Sequence, residues 1–194
     1  MLNLVTGLAR LMAYLGGLVL TGLVALTCLS VIGRGLNTLG HSDALTSVAP
    51  ALGDALIATG VGPITGDFEL LEAGVAFAIF AFLPVCQLYS AHATVDIFTS
   101  YLSERATRWI MAFWEVVLTA TLALIAYRLY FGMTDKMRYG ETTFLLQFPV
   151  WWAYAASLIG AVVAVVVGIY CAYARLRGAV TGSTPLPGHL EADH

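Results

Sequence analysis

The sequence predicts an all-α membrane protein with four transmembrane helices and interfacial amphipathic helices between them. Three observations lead there. Of 194 residues, 59% are hydrophobic and only 11% charged, where a water-soluble domain carries about 25% charged residues; the mean hydropathy is +0.84. Four apolar windows reach the roughly 17–25 residues that a bilayer-crossing helix needs. Aromatic rings cluster at the window ends, as the headgroup layer favours. The net charge of −3 is thinly spread and makes no basic stripe, which argues against a nucleic-acid partner.

The windows fall at about 11–32, 73–89, 109–130 and 150–173. The first is longer than the 7–15-residue core of a signal peptide and lacks a small-x-small cleavage site after it. Ala25, Leu26 and Thr27 before Cys28 make a poor lipoprotein signal, so this span is expected to stay in the mature chain. Loop 35–71 follows. In it Leu45, Val48, Leu52 and Leu56 recur at helical spacing with Pro50 interrupting, which predicts a short interfacial helix. "GVGPITGD" reads as a turn, with Asp67 as the N-cap of the second span. That span carries Gly74, Ala78 and Ala81 along one side, and Pro84 is expected to kink it.

Between the second and third spans runs "YSAHATVDIFTSYLSERATRW". Steps of three and four put Phe98, Tyr101, Leu102, Arg105 and Trp109 on one face and polar residues on the other. This predicts an amphipathic helix lying in the membrane plane, packed on lipid or on a partner. Trp109, Trp114, Tyr127 and Tyr130 bracket the third span. The next loop combines a polar turn at Gly140 with an apolar run, Phe144–Phe148, too short to span and expected in the interface. Pro149 then stands just before the fourth helix, where a missing N–H costs nothing. Residues 1–177 are expected to form a single four-helix membrane domain and 178–194 a disordered cytoplasmic tail. With both termini inside, the cytoplasmic side carries Arg10, Arg105, Arg108, Arg175 and Arg177, against Arg34, Arg128, Lys136 and Arg138 outside. Five against four is a thin positive-inside margin.

Few residues could carry chemistry. Cys28, Cys86 and Cys171 each fall inside a span with no CxxC spacing, and read as small buried side chains. His92 and Asp96 stand four apart and could form half a metal site. A metal site wants three or four ligands, and His41, His189 and His194 are the only other histidines. A hydrogen bond or helix cap is the better reading, and no cofactor or metal is expected. Glu115 lies six residues past Trp109, about 9 Å deeper along a helix. An acid there is costly and marks a candidate for function or for interhelical pairing. Arg34 and Glu72 sit at span edges on the same side and could pair, tying the first two spans together. Ala156, Gly160, Ala164, Gly168 and Ala172 recur every four residues on the fourth span. Such a stripe lets another helix approach closely, whether the chain's own or a partner's. No broken helix, internal repeat or paired midplane charge suggests a transport pathway.

Four pieces of the sequence, in order, resemble one family. They are "VIGR" closing the first span, "GDFELLEAGVAFAIFAFLPVCQL" as the second, "AHATVDIFT" after it, and "RYGETTFLLQFPVWWAY" before the fourth. Together they resemble the small membrane subunit (DctQ type) of tripartite ATP-independent periplasmic (TRAP) transporters. The resemblance implies an inner-membrane subunit, not an enzyme, bound to a large multi-spanning subunit that holds the sodium and substrate sites. It further implies a periplasmic substrate-binding protein, and sodium-driven symport of an organic acid such as a dicarboxylate. Arg34, Glu72, His92 and Asp96 match family motif positions, and the resemblance implies structural or interfacial roles for them. Two other functions fit the residues: a small ion carrier or channel built on Glu115, and a membrane anchor for a redox complex.

Overall fold

The computed structural model describes residues 2–42, 45, 47, 49–60, 62–89, 103–182 and 186. Their helices are α1 (Leu2–Gly40), α2 (Pro50–Ala58), α3 (Asp67–Leu88), α4 (Glu104–Tyr139) and α5 (Trp151–Thr181). Four of these, all but α2, are long and apolar enough to cross a membrane. No strand forms among the described residues; an isolated bridge joins Thr142 to Pro149.

The helices overrun the apolar windows. α1 has 39 residues and α4 has 36, so each is more than ~50 Å long at ~1.5 Å per residue, against a hydrocarbon core of ~30 Å. Hydropathy marks where a helix meets lipid, whereas intrahelical hydrogen bonds continue into water until a capping residue stops them. On α4 the stop signals are clear. Ser103 is the N-cap, its hydroxyl accepting from the Ala106 amide at 3.4 Å, and Gly140 closes the C-terminus at φ 62°. Residues 104–109 are therefore the first turns of α4, not the end of a separate in-plane helix. The earlier part of that stretch, 90–102 with His92 and Asp96, lies outside the described residues.

Leu45 and Ser47 are helical, Ala49 is not, and a new helix starts at Pro50, so the proline interrupts the run as expected, at a first-turn position that suits it. Two other boundaries move for similar reasons. Gly66, at φ 79°, caps α3 in place of Asp67. It is held there twice over, because Leu146 fills the space a Cβ would take. α3 runs unbroken through Pro84. α5 continues to Thr181, with Gly182 as its cap at φ 84°.

Contacts between the long helices form an open chain. α1 packs on α3, α3 on α5 and α5 on α4, while α1 meets α5 only slightly and α2 lies against α1. Among the described residues, α1 and α4 share no substantial interface. Each edge helix consequently buries a narrow seam. On α4 this is Ala112, Glu115, Thr119 and Leu122. On α1 it is Val5, Ala9, Met12, Gly16, Leu23 and Ser30, steps that average the 3.5 residues of a packed seam.

α5 carries the arrangement. Its buried positions, among them Ser157, Gly160, Ala161, Ala164, Val167, Gly168 and Cys171, cover one broad face that receives both α3 and α4. The opposite stripe of Ile159, Val162, Val166, Ile169 and Tyr173 is exposed. Small residues set the distances. A Cβ on Gly160 would stand 2.9 Å from the Phe80 Cβ, and one on Gly16 would stand 2.9 Å from the Ala81 Cβ. The small-residue stripes of α3 and α5 are thus filled by the chain's own helices.

Replacing Gly160 by leucine should separate α3 from α5. Overpacking of this kind costs about 1–3 kcal/mol, readable as a lower melting temperature in detergent. Val162→Leu on the exposed stripe should melt like the parent.

Candidate functional site

Helix polarity and pairing fix the two ends of the bundle. At one end the start of α1 meets the end of α3 and the second half of α5: Val5, Ala9, Leu88, Val167 and Cys171 form a buried cluster. The Arg10 Nη2 donates to the Tyr89 hydroxyl at 3.1 Å beside it. Near this end lies the most buried charged residue among the described residues. Glu115 of α4 meets Arg175 of α5, with Nε to Oε2 at 2.9 Å and side-chain exposures of 7% and 12%. Met111 Sδ adds a 4.0 Å contact to Arg175 Nη1.

This pair answers the cost of Glu115 in an apolar layer, since a buried carboxylate is stable there only when paired. One helical turn on, Thr119 of α4 and Gln87 of α3 converge on Gly168. Gln87 Nε2 and Thr119 Oγ1 each stand 2.8 Å from where its Cβ would be. Gln87 is fully buried, and among the described residues its amide atoms have no hydrogen-bond partner. Only glycine leaves room for three helices to meet at that level.

At the other end, a loop is fastened to the first turn of α3. After Gly140 the chain turns back on itself: the Glu141 carboxylate pairs with Lys136 at 2.5 Å. The Thr143 amide donates to the Phe148 carbonyl at 2.9 Å and the Val150 amide to the Glu141 carbonyl at 3.0 Å. Gln147 adopts φ 57° at the tip. The Leu145 and Leu146 amides then donate to the two oxygens of Glu69, at 2.7 and 3.0 Å. On the far side of α3, Ser30 donates to Asp67, and Arg34 stands 3.9 Å from the same carboxylate.

The sequence-predicted residues divide accordingly. Arg34 reaches Asp67, not Glu72 as expected, because Glu72 lies on the face of α3 that lines a cavity with Glu69 and Ala76, while Gly74 of the same turn packs on Leu23 of α1. Glu72 is exposed at the mouth of that cavity, of about 530 Å³, which Phe80 also lines. Glu115 is paired across helices. Gly160 faces Phe80 and Gly168 faces Gln87 and Thr119, with Ala164 buried between them. Among the described residues no three His, Cys, Asp or Glu side chains gather as metal ligands do. Arg175, Asp67, Gln87 and Thr119 were missed as partners. The demand for a cation beside Glu115 was visible in the sequence; which arginine supplies it depends on the antiparallel register of α4 and α5.

A family model, Tripartite ATP-independent periplasmic transporters, DctQ component, matches residues 54–178. The chain belongs to this DctQ family. It is therefore a transporter component of the inner membrane, from a family that is not one of enzymes. Neither the curated proteins nor the solved structures give a match. The matched stretch of this DctQ protein runs from α2 to near the end of α5, so it contains the Glu115–Arg175 pair, the Glu69 clip and the Gly168 convergence.

Removing one partner of a buried ion pair costs about 3–5 kcal/mol, whereas replacing both by apolar residues is often neutral. Glu115→Ala should therefore lower resistance to denaturant unfolding by about that amount, and Glu115→Leu with Arg175→Met should regain most of it. At the other end, Glu69→Ala strips two charge-assisted acceptors from the loop. Hydrogen exchange at the Leu145 and Leu146 amides should rise at least about tenfold, with exchange along α5 unchanged.

Proposed function

We propose that this chain braces the large membrane subunit of a TRAP-type secondary transporter. In this reading the partner holds the sodium ions and moves an organic acid, such as a dicarboxylate, delivered by a periplasmic binding protein. The termini lie in the cytoplasm, which puts the Glu115–Arg175 pair on the inner side and the Glu69 clip on the periplasmic side.

The observation that carries this reading is the open chain of helix contacts. A protein that moves solute by itself needs a polar path between helices, with ionisable groups free to bind and release. Here Glu115 is spent on Arg175, and the α5 face between α3 and α4 is closed by Gln87 and Thr119 against Gly168. What the bundle offers in quantity is apolar surface: Leu11, Tyr14, Leu18 and Val24 on α1, and Phe113, Trp114, Leu124 and Tyr127 on α4. Both edge helices are long, rigid and unpartnered along most of their circumference, the form suited to anchoring a neighbour that moves.

Gentle solubilisation of native membranes should recover the chain with a much larger multi-spanning protein. Reconstituted alone in vesicles, it should carry neither sodium nor organic acid, and Glu115→Gln should change nothing. Flux through the isolated chain that depends on Glu115 would overturn the reading in favour of a self-contained carrier.

A further inference from the structure

The cavity beside Glu72 has a definite origin. α3 and α4 both lie on one face of α5 and come together at Gly168, where Gln87 and Thr119 meet. Toward the Glu69 end they diverge, and a wedge opens between them. Ser157 and Tyr154 of α5 form its floor, Ala76 and Phe80 one wall, Leu129 the other. The loop held by Glu69 roofs it with Phe144 and Phe148. This open-sided space, about 530 Å³, is in the ~300–1,000 Å³ range of small-molecule sites.

Among the described residues, three polar groups that line this wedge lack hydrogen-bond partners: the Thr143 hydroxyl, Ser157 and Glu72. Ser157 is 2% exposed and its hydroxyl makes no hydrogen bond. Glu72 stands at the mouth, and among the described residues it has no ion pair or hydrogen bond; Glu69 beside it is spent on the loop amides. Among the described residues no Lys or Arg lines the space. A wedge whose walls are Ala, Phe and Leu does not hold water well, and in a bilayer its neighbours are acyl chains.

We propose that this wedge binds one phospholipid with a primary-amine headgroup, its acyl chain between α3 and α4 and its ammonium on Glu72. The Ser157 hydroxyl then meets the ester region of a chain that enters deeply. An anionic headgroup is disfavoured by the unpaired Glu72 carboxylate at the mouth, so the site selects by charge. The lipid fills a gap that the chain's own side chains leave open, and it stiffens the outer half of the bundle where α3 and α4 do not touch.

Native mass spectrometry of the full chain, purified with whatever membrane protein accompanies it, tests this. After delipidation and exposure to equal phosphatidylethanolamine and phosphatidylglycerol, one ethanolamine lipid should stay bound. Glu72→Gln should reduce the preference over phosphatidylglycerol by roughly threefold, as for an interfacial ion pair. Ala76→Phe, which fills the wedge, should abolish retention while hydrogen exchange around Glu115 stays as in the parent. Equal retention of the two lipids, or retention indifferent to Ala76→Phe, overturns the proposal. So does a photo-crosslinker at position 76 that labels a partner protein in place of lipid.

Discussion

The structure depends on how closely α3 and α4 can approach α5. In lipid there is no hydrophobic drive to bring helices together, since acyl chains are as apolar as leucine; close packing and polar contacts must do it. Gly160 and Gly168 supply that approach. At Gly160 the Phe80 side chain and backbone occupy the space of a missing Cβ, and at Gly168 two polar side chains from two different helices do so. Everything else in the bundle follows from that geometry: α5 carries two neighbours on one face, α1 is left to pack on α3, and an apolar stripe on α5 stays outside.

Polar contacts then hold each end. Glu115 with Arg175 joins α4 to α5 on one side of the midplane. Glu69 with the Leu145 and Leu146 amides joins α3 to the loop before α5 on the other, and Asp67 with Ser30 and Arg34 joins α3 to α1. These groups are arranged as fasteners, and Arg10 with Tyr89 adds a second between α1 and the end of α3. A fastened but open bundle is a sound support for a larger subunit, and its remaining gap, the wedge at Ser157, is of a size and polarity that lipid can fill.

Much of this was legible in the sequence, and the gaps have physical causes. Four spans follow from hydropathy because lipid contact is a local property of each residue. Their lengths do not, because Leu2–Arg10 and Gly35–Gly40 are helix-compatible without being uniformly apolar. The stripe from Ala156 to Ala172 announces close packing, yet whether its partner is internal depends on long-range register that no local pattern carries. The same is true of the ion pairs. Glu115 visibly needed a cation and Arg34 an anion, but Arg175 lies 60 residues from Glu115, and the choice of Asp67 over Glu72 turns on which face of α3 meets α1. His92 and Asp96, in the stretch matched to the family by sequence, lie outside the described residues.

The most direct test of the open arrangement is disulfide cross-linking in native membranes, with cysteines placed on the buried seams of two long helices at a time. Pairs across α1–α3, α3–α5 and α4–α5 should join readily, and α1–α4 pairs should not join at any level. Efficient joining of α1 to α4 along their length, closing the bundle into a ring around the other two helices, would contradict it.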